Sequence, residues 1–186
     1  LLPGVRVRVR DAGHIMGSSS VALWLAEGEL RRKLVFSGDL GRWDRPILRD
    51  PELVHEADVV LIESTYGDRL HRSLQETEDE IVAALGRTRA THGNLIIPSF
   101  AVGRTQDILH FIGELRGQKR LPRMDVYVDS PMALAATRIT LKYAKLPELE
   151  HVRFTESVED SMAINQVKAG AAIISASGMC EGGRIK

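Results

Sequence analysis

The strongest constraint on the fold is a change in the spacing of apolar residues near residue 73. Before that point, valine and arginine alternate over residues 5–9, and short apolar runs recur at 21–25, 33–36 and 59–62. Alternation and short β-branched runs between polar linkers are typical of strands. Beyond residue 73, strand-like runs alternate with helix-like segments, which indicates βαβ units and a mainly parallel sheet. We therefore predict an α/β fold whose first part is mainly β.

The second part of the chain contains seven predicted elements. Helices are marked by apolar residues at helical spacing, as where Ile108, Leu109, Ile112 and Leu115 share one face. Strands are marked by short apolar runs, and we expect the first of them to be buried. In chain order, the elements are a helix at 74–90, a strand at 94–97, a helix at 104–116, a strand at 124–128, helices at 132–145 and 158–169, and a strand at 171–175.

Composition limits the class of protein but not its ligand. The 186 residues carry 25 Lys and Arg against 25 Asp and Glu, so net charge neither supports nor excludes a nucleic-acid partner. The single cysteine allows no intrachain disulfide and fits a reducing compartment, so we expect a cytoplasmic protein. No apolar run approaches the ~20 residues of a membrane helix, so we expect no membrane partner. Neither end has the character of a natural terminus, and we expect a segment of a longer chain.

Three apolar runs lead into an acidic residue, at Asp39, Glu63 and Asp129. In open α/β sheets, ligands bind beyond the carboxyl ends of the strands, so these positions favour a functional site. Acidic residues also serve as turn formers, which is the alternative for each of them taken singly. The occurrence of three such positions in one chain favours the functional interpretation.

His14 lies between Gly13 and Gly17, where the backbone can turn tightly and present an imidazole. Neutral imidazole is a good zinc ligand, and a carboxylate can join it or bridge two metal ions. A partly exposed loop histidine with no ligand is the alternative. The remaining five histidines form no cluster of metal-ligand spacing and are interpreted as surface or structural, with a reservation for the one beside the Glu63 loop: His55, His71, His92, His110 and His151.

Six short motifs, in order along nearly the whole chain, resemble those of one enzyme family. Residues 11–18 (DAGHIMGS) and 36–41 (FSGDLG) resemble the third and fourth metal motifs of metallo-β-lactamase-fold hydrolases. Residues 62–69 (IESTYGDR) resemble the acidic motif of the β-CASP group. Residues 98–106, 128–133 and 175–179 resemble three segments of its inserted domain. The chain is therefore similar to β-CASP hydrolases, which cleave nucleic acids, mostly RNA. Within that group it most resembles the bacterial and archaeal proteins similar to the mRNA 3′-end cleavage factor.

This resemblance implies two domains. Residues 1–72 would be part of a metallo-β-lactamase αββα sandwich, and residues 73–186 a β-CASP domain truncated at its C-terminal end. The family motif His-x-His-x-Asp-His, which supplies most zinc ligands, would precede residue 1, and two later histidine motifs would follow residue 186. A catalytic zinc needs about three protein ligands. We therefore predict that the 186-residue chain by itself binds zinc poorly and is inactive.

The resemblance also implies roles for individual residues. Two zinc ions would be present in the complete enzyme, with His14 holding one and the catalytic Asp39 bridging both. The catalytic Glu63 would orient a later histidine that protonates the leaving oxygen. Four residues at strand-to-helix turns are candidates for contact with substrate phosphates: Ser99, Arg104, Ser130 and Ser177. The alternative for the arginine is a structural ion pair. The alternative for the three serines is helix N-capping.

The predicted function is zinc-dependent hydrolysis of phosphodiester bonds, with single-stranded RNA as the partner. Aromatic residues form only 5% of the chain, so we do not expect this part to read base sequence. Cleavage of DNA, homodimer formation and the choice between endo- and exonucleolytic cleavage stay open. The alternatives are a non-catalytic scaffold subunit of an RNA-processing complex, a hydrolase of small substrates, which would lack the β-CASP-like half, and an α/β domain with no site.

Overall fold

The structure, a computed structural model, describes residues 2–122, 124–147 and 149–186, without the side chain of Glu150. The chain divides into two compact units, Leu1–His71 and Arg72–Lys186. Each unit has its own four-stranded sheet. No helix in the described ranges is long and apolar enough to cross a membrane.

The first unit is a mixed sheet. Its strands lie in the order in which they occur: β1 (Val5–Asp11), β2 (Ser19–Glu27), β3 (Leu30–Phe36) and β4 (Val59–Leu61). β2 is antiparallel to both β1 and β3, whereas β4 is parallel to β3. As a result β1, β3 and β4 run in the same direction, and the loops that follow them leave from one edge of the sheet.

The second unit alternates helices and strands. Its elements are α1 (Leu74–Ala90), β5 (Leu95–Pro98), α2 (Arg104–Gly117), β6 (Asp125–Asp129), α3 (Pro131–Thr140), β7 (Val152–Phe154), α4 (Val158–Ile164) and β8 (Ala171–Ser175). A short 3₁₀ turn, Leu149–His151, precedes β7. The strand order is β5-β8-β6-β7, with all neighbours parallel. The predicted α/β class and mainly parallel sheet are confirmed.

The core of the second unit forms where α2 packs on the sheet. The predicted apolar face of this helix is confirmed, because Leu109, Ile112 and Leu115 are almost fully buried and Ile108 packs against the same cluster. Their partners come from the two central strands, which are covered on both faces. These strand residues are Val126, Val128, Ala172 and Ile174.

Four details differ from the sequence prediction. α3 ends at Thr140 and α4 at Ile164, each about one turn early, because turns follow both helices. The three-residue β7 is too short to leave a periodic signal and was not predicted. The expected burial of β5 is wrong: Leu95 and Ile97 face the core, but Ile96 is exposed because this strand lies at the sheet edge.

Candidate metal centre

Three loops that carry predicted functional residues leave the same edge of the first sheet. His14 follows β1, Asp39 follows β3 and Glu63 follows β4. His14 Nε2 lies 4.0 Å from Asp39 Oδ2, and these side chains are 46% and 75% exposed. The common direction of the three strands therefore brings a nitrogen donor and a carboxylate together at the surface, although they are 25 positions apart in the sequence.

The His14 loop is closed by its own hydrogen bonds. The Ser18 hydroxyl accepts from the backbone N–H groups of His14 and Ile15, at 3.0 and 3.2 Å. The N–H of Ala12 donates to the carbonyl of Ser18 at 3.1 Å. Gly13 has a φ of +65°, and a Cβ there would lie 2.8 Å from the carbonyl oxygen of Arg49, so this position requires glycine. The loop thus presents its imidazole from a fixed backbone.

The Asp39 loop is held by buried hydroxyl groups beneath it. Ser20 Oγ donates to the carbonyl of Ser37 at 2.7 Å. Ser37 Oγ in turn donates to the carbonyl of Gly38 and accepts from the N–H of Glu63, at 2.6 and 3.1 Å. Sequence reasoning gave Ser37 no role, yet it connects the loops after β3 and β4. The connection fixes the backbone on either side of Asp39.

The His14 and Asp39 loops also touch each other directly. The N–H of Gly41 donates to the carbonyl of Ala12 at 2.7 Å. A Cβ on Gly41 would lie 1.7 Å from the carbonyl oxygen of Gly13 and 2.7 Å from the backbone nitrogen of His14. Only glycine allows this approach, since all the atoms in the way belong to the backbone. The second glycine of the GDLG segment was the available sequence signal, and it was not interpreted.

Glu63 supports the Asp39 loop from the neighbouring strand. Its Oε1 accepts from the backbone N–H of Leu40 at 2.6 Å. That hydrogen bond, followed by one from the Thr65 hydroxyl, lowers the pKa of Glu63 below its usual 4.5. Burial acts in the opposite direction but is outweighed, and the imidazoles of His14 and His71 add smaller lowering effects. Glu63 is therefore an ionised carboxylate at neutral pH. Its predicted role in orienting a later histidine stays a prediction.

His71 is a further histidine near this edge. Its ring centroid lies 4.0 Å from that of Tyr66, and it contributes to the lowered pKa of Glu63. The sequence left a functional role open for this histidine because it lies beside the Glu63 loop. The structure places it beside the loop, in contact with an aromatic ring.

The donors of this edge fit zinc as a partial ligand set. In residues 2–122, 124–147 and 149–186, no group of three or more His, Cys, Asp and Glu side chains is close enough to hold a metal ion. His14 and Asp39 nevertheless supply the imidazole nitrogen and carboxylate oxygen that zinc prefers, at metal–ligand distances of about 2.0–2.2 Å. Atoms 4.0 Å apart are near enough for one ion to contact both. The pair can therefore provide two ligands of a site that requires at least one more.

Two of the serines predicted to contact substrate support the starts of helices. Ser99, 1% exposed, lies before α2 and its Oγ accepts from the hydroxyl of Thr105 at 3.1 Å. Ser130 is the N-cap of α3, and its Oγ accepts from the N–H of Ala133 at 3.2 Å. N-capping was the alternative that the sequence offered, and it is the role observed for Ser130.

Arg104 and Ser177 are more accessible. Arg104 is exposed at the first turn of α2, and in the described part of the chain its guanidinium has no ion-pair partner. Ser177 is half-buried, and its Oγ accepts from the N–H of Met179 at 3.3 Å. Contact of either residue with phosphate stays a prediction.

Asp129, the third strand-end carboxylate, is bound within the second unit. This buried side chain accepts hydrogen bonds from the hydroxyls of Thr155 and Ser161, at 2.7 and 2.8 Å. It also pairs with Arg184 at 3.0 Å, whose Nη1 donates to Thr155 Oγ1 as well. All its contacts are internal to the unit. Asp129 therefore anchors the segment that contains Arg184, which the sequence did not reveal.

Comparison with known proteins places the chain in a family. The model of the Beta-Casp domain matches residues 105–186. Ribonuclease TTHA0252 of Thermus thermophilus is 39% identical over 94% of this chain and 43% of its own length. An RNase J-like protein of Methanocaldococcus jannaschii is 29% identical over 97% and 44%. Cleavage and polyadenylation specificity factor subunit 3 of Dictyostelium discoideum is 26% identical over 89% and 21%.

The chain spans less than half the length of these relatives. The similarity to each of them nevertheless extends through both units, since it covers at least 89% of the chain. The family resemblance predicted from the six motifs is confirmed. The chain belongs to the β-CASP family.

Proposed function

We propose that the chain is the part of a zinc-dependent ribonuclease that carries one zinc histidine, the bridging aspartate and their supporting glutamate. The single observation that carries this proposal is the approach of His14 and Asp39 to 4.0 Å at an exposed edge. The loops that carry these two residues also touch through the Gly41 backbone. Such rigid support for exposed donors is expected of a metal site.

The names of the relatives support the choice of RNA. Two of the proteins to which this chain is similar are named as a ribonuclease and an RNase J-like protein. Metal dependence follows from the family, and zinc is the ion that imidazole and carboxylate donors in this arrangement favour. We accordingly assign two zinc ions to the complete enzyme. Residues 1–72 would belong to its metallo-β-lactamase-like domain and 73–186 to its β-CASP domain.

In this mechanism the residues of the chain position the metal ions and orient the groups around them. His14 would hold one zinc ion through its imidazole, and Asp39 would offer its carboxylate to both ions. When bound, zinc would supply a water activated for attack at neutral pH and would offset charge on the phosphoryl oxygens. Glu63 keeps the Asp39 loop in place through the Leu40 N–H, and as an ionised carboxylate it would orient the later histidine that protonates the leaving oxygen.

The substrate of this proposal is single-stranded RNA. Arg104 at the first turn of α2 can supply a cation, and Ser177 a hydroxyl, for the phosphates. The buried Ser99 and the capping Ser130 would act by fixing the turns that precede their helices. Cleavage of DNA and formation of a homodimer are left to experiment. A cytoplasmic location agrees with the single cysteine.

The proposal is tested by cleavage of end-labelled single-stranded RNA with the full-length protein. Cleavage should require zinc, stop on addition of a chelator and be lost in Asp39→Ala. The matched control is Glu29→Ala, which removes an exposed carboxylate from the turn between β2 and β3. It should cleave as the wild type does. Wild-type protein that binds zinc yet cleaves no RNA would reject the ribonuclease proposal and favour a scaffold subunit.

A further inference from the structure

One side of the sheet in the first unit is strongly basic. Arg6 lies opposite Trp24, and Trp24 lies opposite Lys33, so these three side chains form a row across β1, β2 and β3. Residues two positions apart in a strand point to the same side, which adds three further arginines to it. We call this side the basic face and define it by Arg6, Arg8, Arg10, Trp24, Arg31 and Lys33.

Carboxylates balance only part of this charge. Glu52 pairs with Arg10 at 2.6 Å and lies 3.9 Å from Arg8, whose side chain is 59% exposed. Among the residues that the structure describes, no carboxylate forms an ion pair with the side chain of Arg6 or Lys33. The basic face therefore keeps a net positive charge. A surface of this kind attracts polyanions.

Trp24 holds the two unpaired cations in place. The guanidinium carbon of Arg6 lies 4.3 Å from the centroid of the Trp24 ring, and Lys33 Nζ lies 5.2 Å from it. Both distances are within the range of cation–π attraction. The N–H donors of these cations are left available for a ligand, since no protein acceptor engages them in the described ranges. Cations ordered before binding lose less side-chain entropy when an anion arrives.

We propose that the basic face binds the phosphate backbone of single-stranded RNA as a second contact surface, apart from the candidate metal centre. The proposal rests on the proposed function only in choosing RNA as the polyanion. Arginines that alternate along β1 are about 6.6 Å apart, so neighbouring side chains can contact neighbouring phosphates of an extended strand. Backbone contacts of this kind position a strand without reading its sequence. This matches a chain that is poor in aromatic residues.

The test measures RNA binding without cleavage. Fluorescence anisotropy of a labelled oligouridylate is followed with the full-length protein in chelator, at 50 and 200 mM salt. The variant Arg6→Gln/Lys33→Gln removes the two cations held by Trp24. The control Arg32→Gln/Arg89→Gln removes two charges elsewhere, from the opposite side of β3 and from the exposed last turn of α1. Both variants change the net charge of the protein equally.

Each phosphate contact with a single strand contributes about 0.7 to the slope of log Kd against log salt. The ratio of Kd at 200 mM salt to Kd at 50 mM salt should therefore fall about sevenfold when two contacts are lost. The control should keep the wild-type ratio. Equal ratios in the two variants would overturn the proposal. The result is independent of catalysis. A protein that shows this salt effect but does not cleave RNA would contradict the proposed ribonuclease function and leave the proposed RNA contact on the basic face standing.

A second measurement reports on Trp24 itself. In the full-length protein, Trp24 is left as the only tryptophan by replacing every other one, Trp43 included, with phenylalanine. RNA that engages Arg6 and Lys33 should change the Trp24 emission as the cations shift over its ring. Emission that saturating RNA leaves unchanged would contradict the proposal.

Discussion

Replacing Gly41 by alanine should push the His14 and Asp39 loops apart. The added Cβ would lie 1.7 Å from the carbonyl oxygen of Gly13, against about 3.4 Å for ordinary contact, so the loops must separate by about 1.7 Å. The hydrogen bond from Gly41 to Ala12 would be lost or stretched. Overpacking and the lost hydrogen bond together should lower the free energy of unfolding by about 2–4 kcal/mol.

Gly41→Ala should impair zinc binding and RNA cleavage even in the protein that remains folded. A shift of about 1 Å in a catalytic group can reduce the rate about a hundredfold. Zinc affinity and RNA cleavage are measured on the full-length protein, with circular dichroism to check that it is folded. The control is Gly86→Ala, a helical glycine with no atom within 4 Å of the added Cβ, which should stabilise α1 by up to about 1 kcal/mol. Wild-type zinc affinity in folded Gly41→Ala would refute the reasoning.

Three further predictions concern the charges of the fold. Because the pKa of Glu63 is lowered in the folded state, its carboxylate stabilises the fold above pH 4.5, and this stabilisation is lost as pH falls. The free energy of unfolding of Glu63→Gln in urea should therefore approach that of the wild type only in acid. A difference that stays constant with pH would contradict this. Asp129→Asn should lower the free energy of unfolding by about 2–4 kcal/mol, measured with denaturant. Asp125→Asn, which removes an exposed ion pair, should lower it by less than about 1 kcal/mol. Equal losses would contradict the role of Asp129 as a buried anchor. The 186-residue chain alone should bind zinc weakly in calorimetry, and nanomolar affinity at His14 would show that two donors suffice.

Local patterns were sufficient to predict most elements of the fold. The predicted helix at 74–90 is confirmed as Leu74–Ala90, and the structure shows that a capping box of Ser73 and Glu76 fixes its start, each side chain accepting from the backbone of the other. β8 was predicted correctly because its apolar run is buried on both faces. Elements whose ends depend on turns, such as α3, could not be delimited, since no single residue marks where the helix stops.

The candidate site could be predicted residue by residue but not as an arrangement. The glycines around His14 and the acids after the apolar runs leave a signal in the sequence. Gly41 is visible in the sequence as a glycine, but its contact with Gly13 is not, because that contact depends on which strands run in the same direction. The same limit applies to Asp129, whose partner Arg184 is 55 residues away and becomes apparent only in the fold.

The central claim is that the loops after β1 and β3 hold the metal, and native mass spectrometry of the full-length protein tests it most directly. Wild type should carry two zinc ions. Asp39→Ala should lose both or retain them only at high zinc, because its carboxylate is proposed to bridge them. Glu29→Ala should keep the wild-type count. Two tightly bound zinc ions in Asp39→Ala would contradict the account, whatever the protein cleaves.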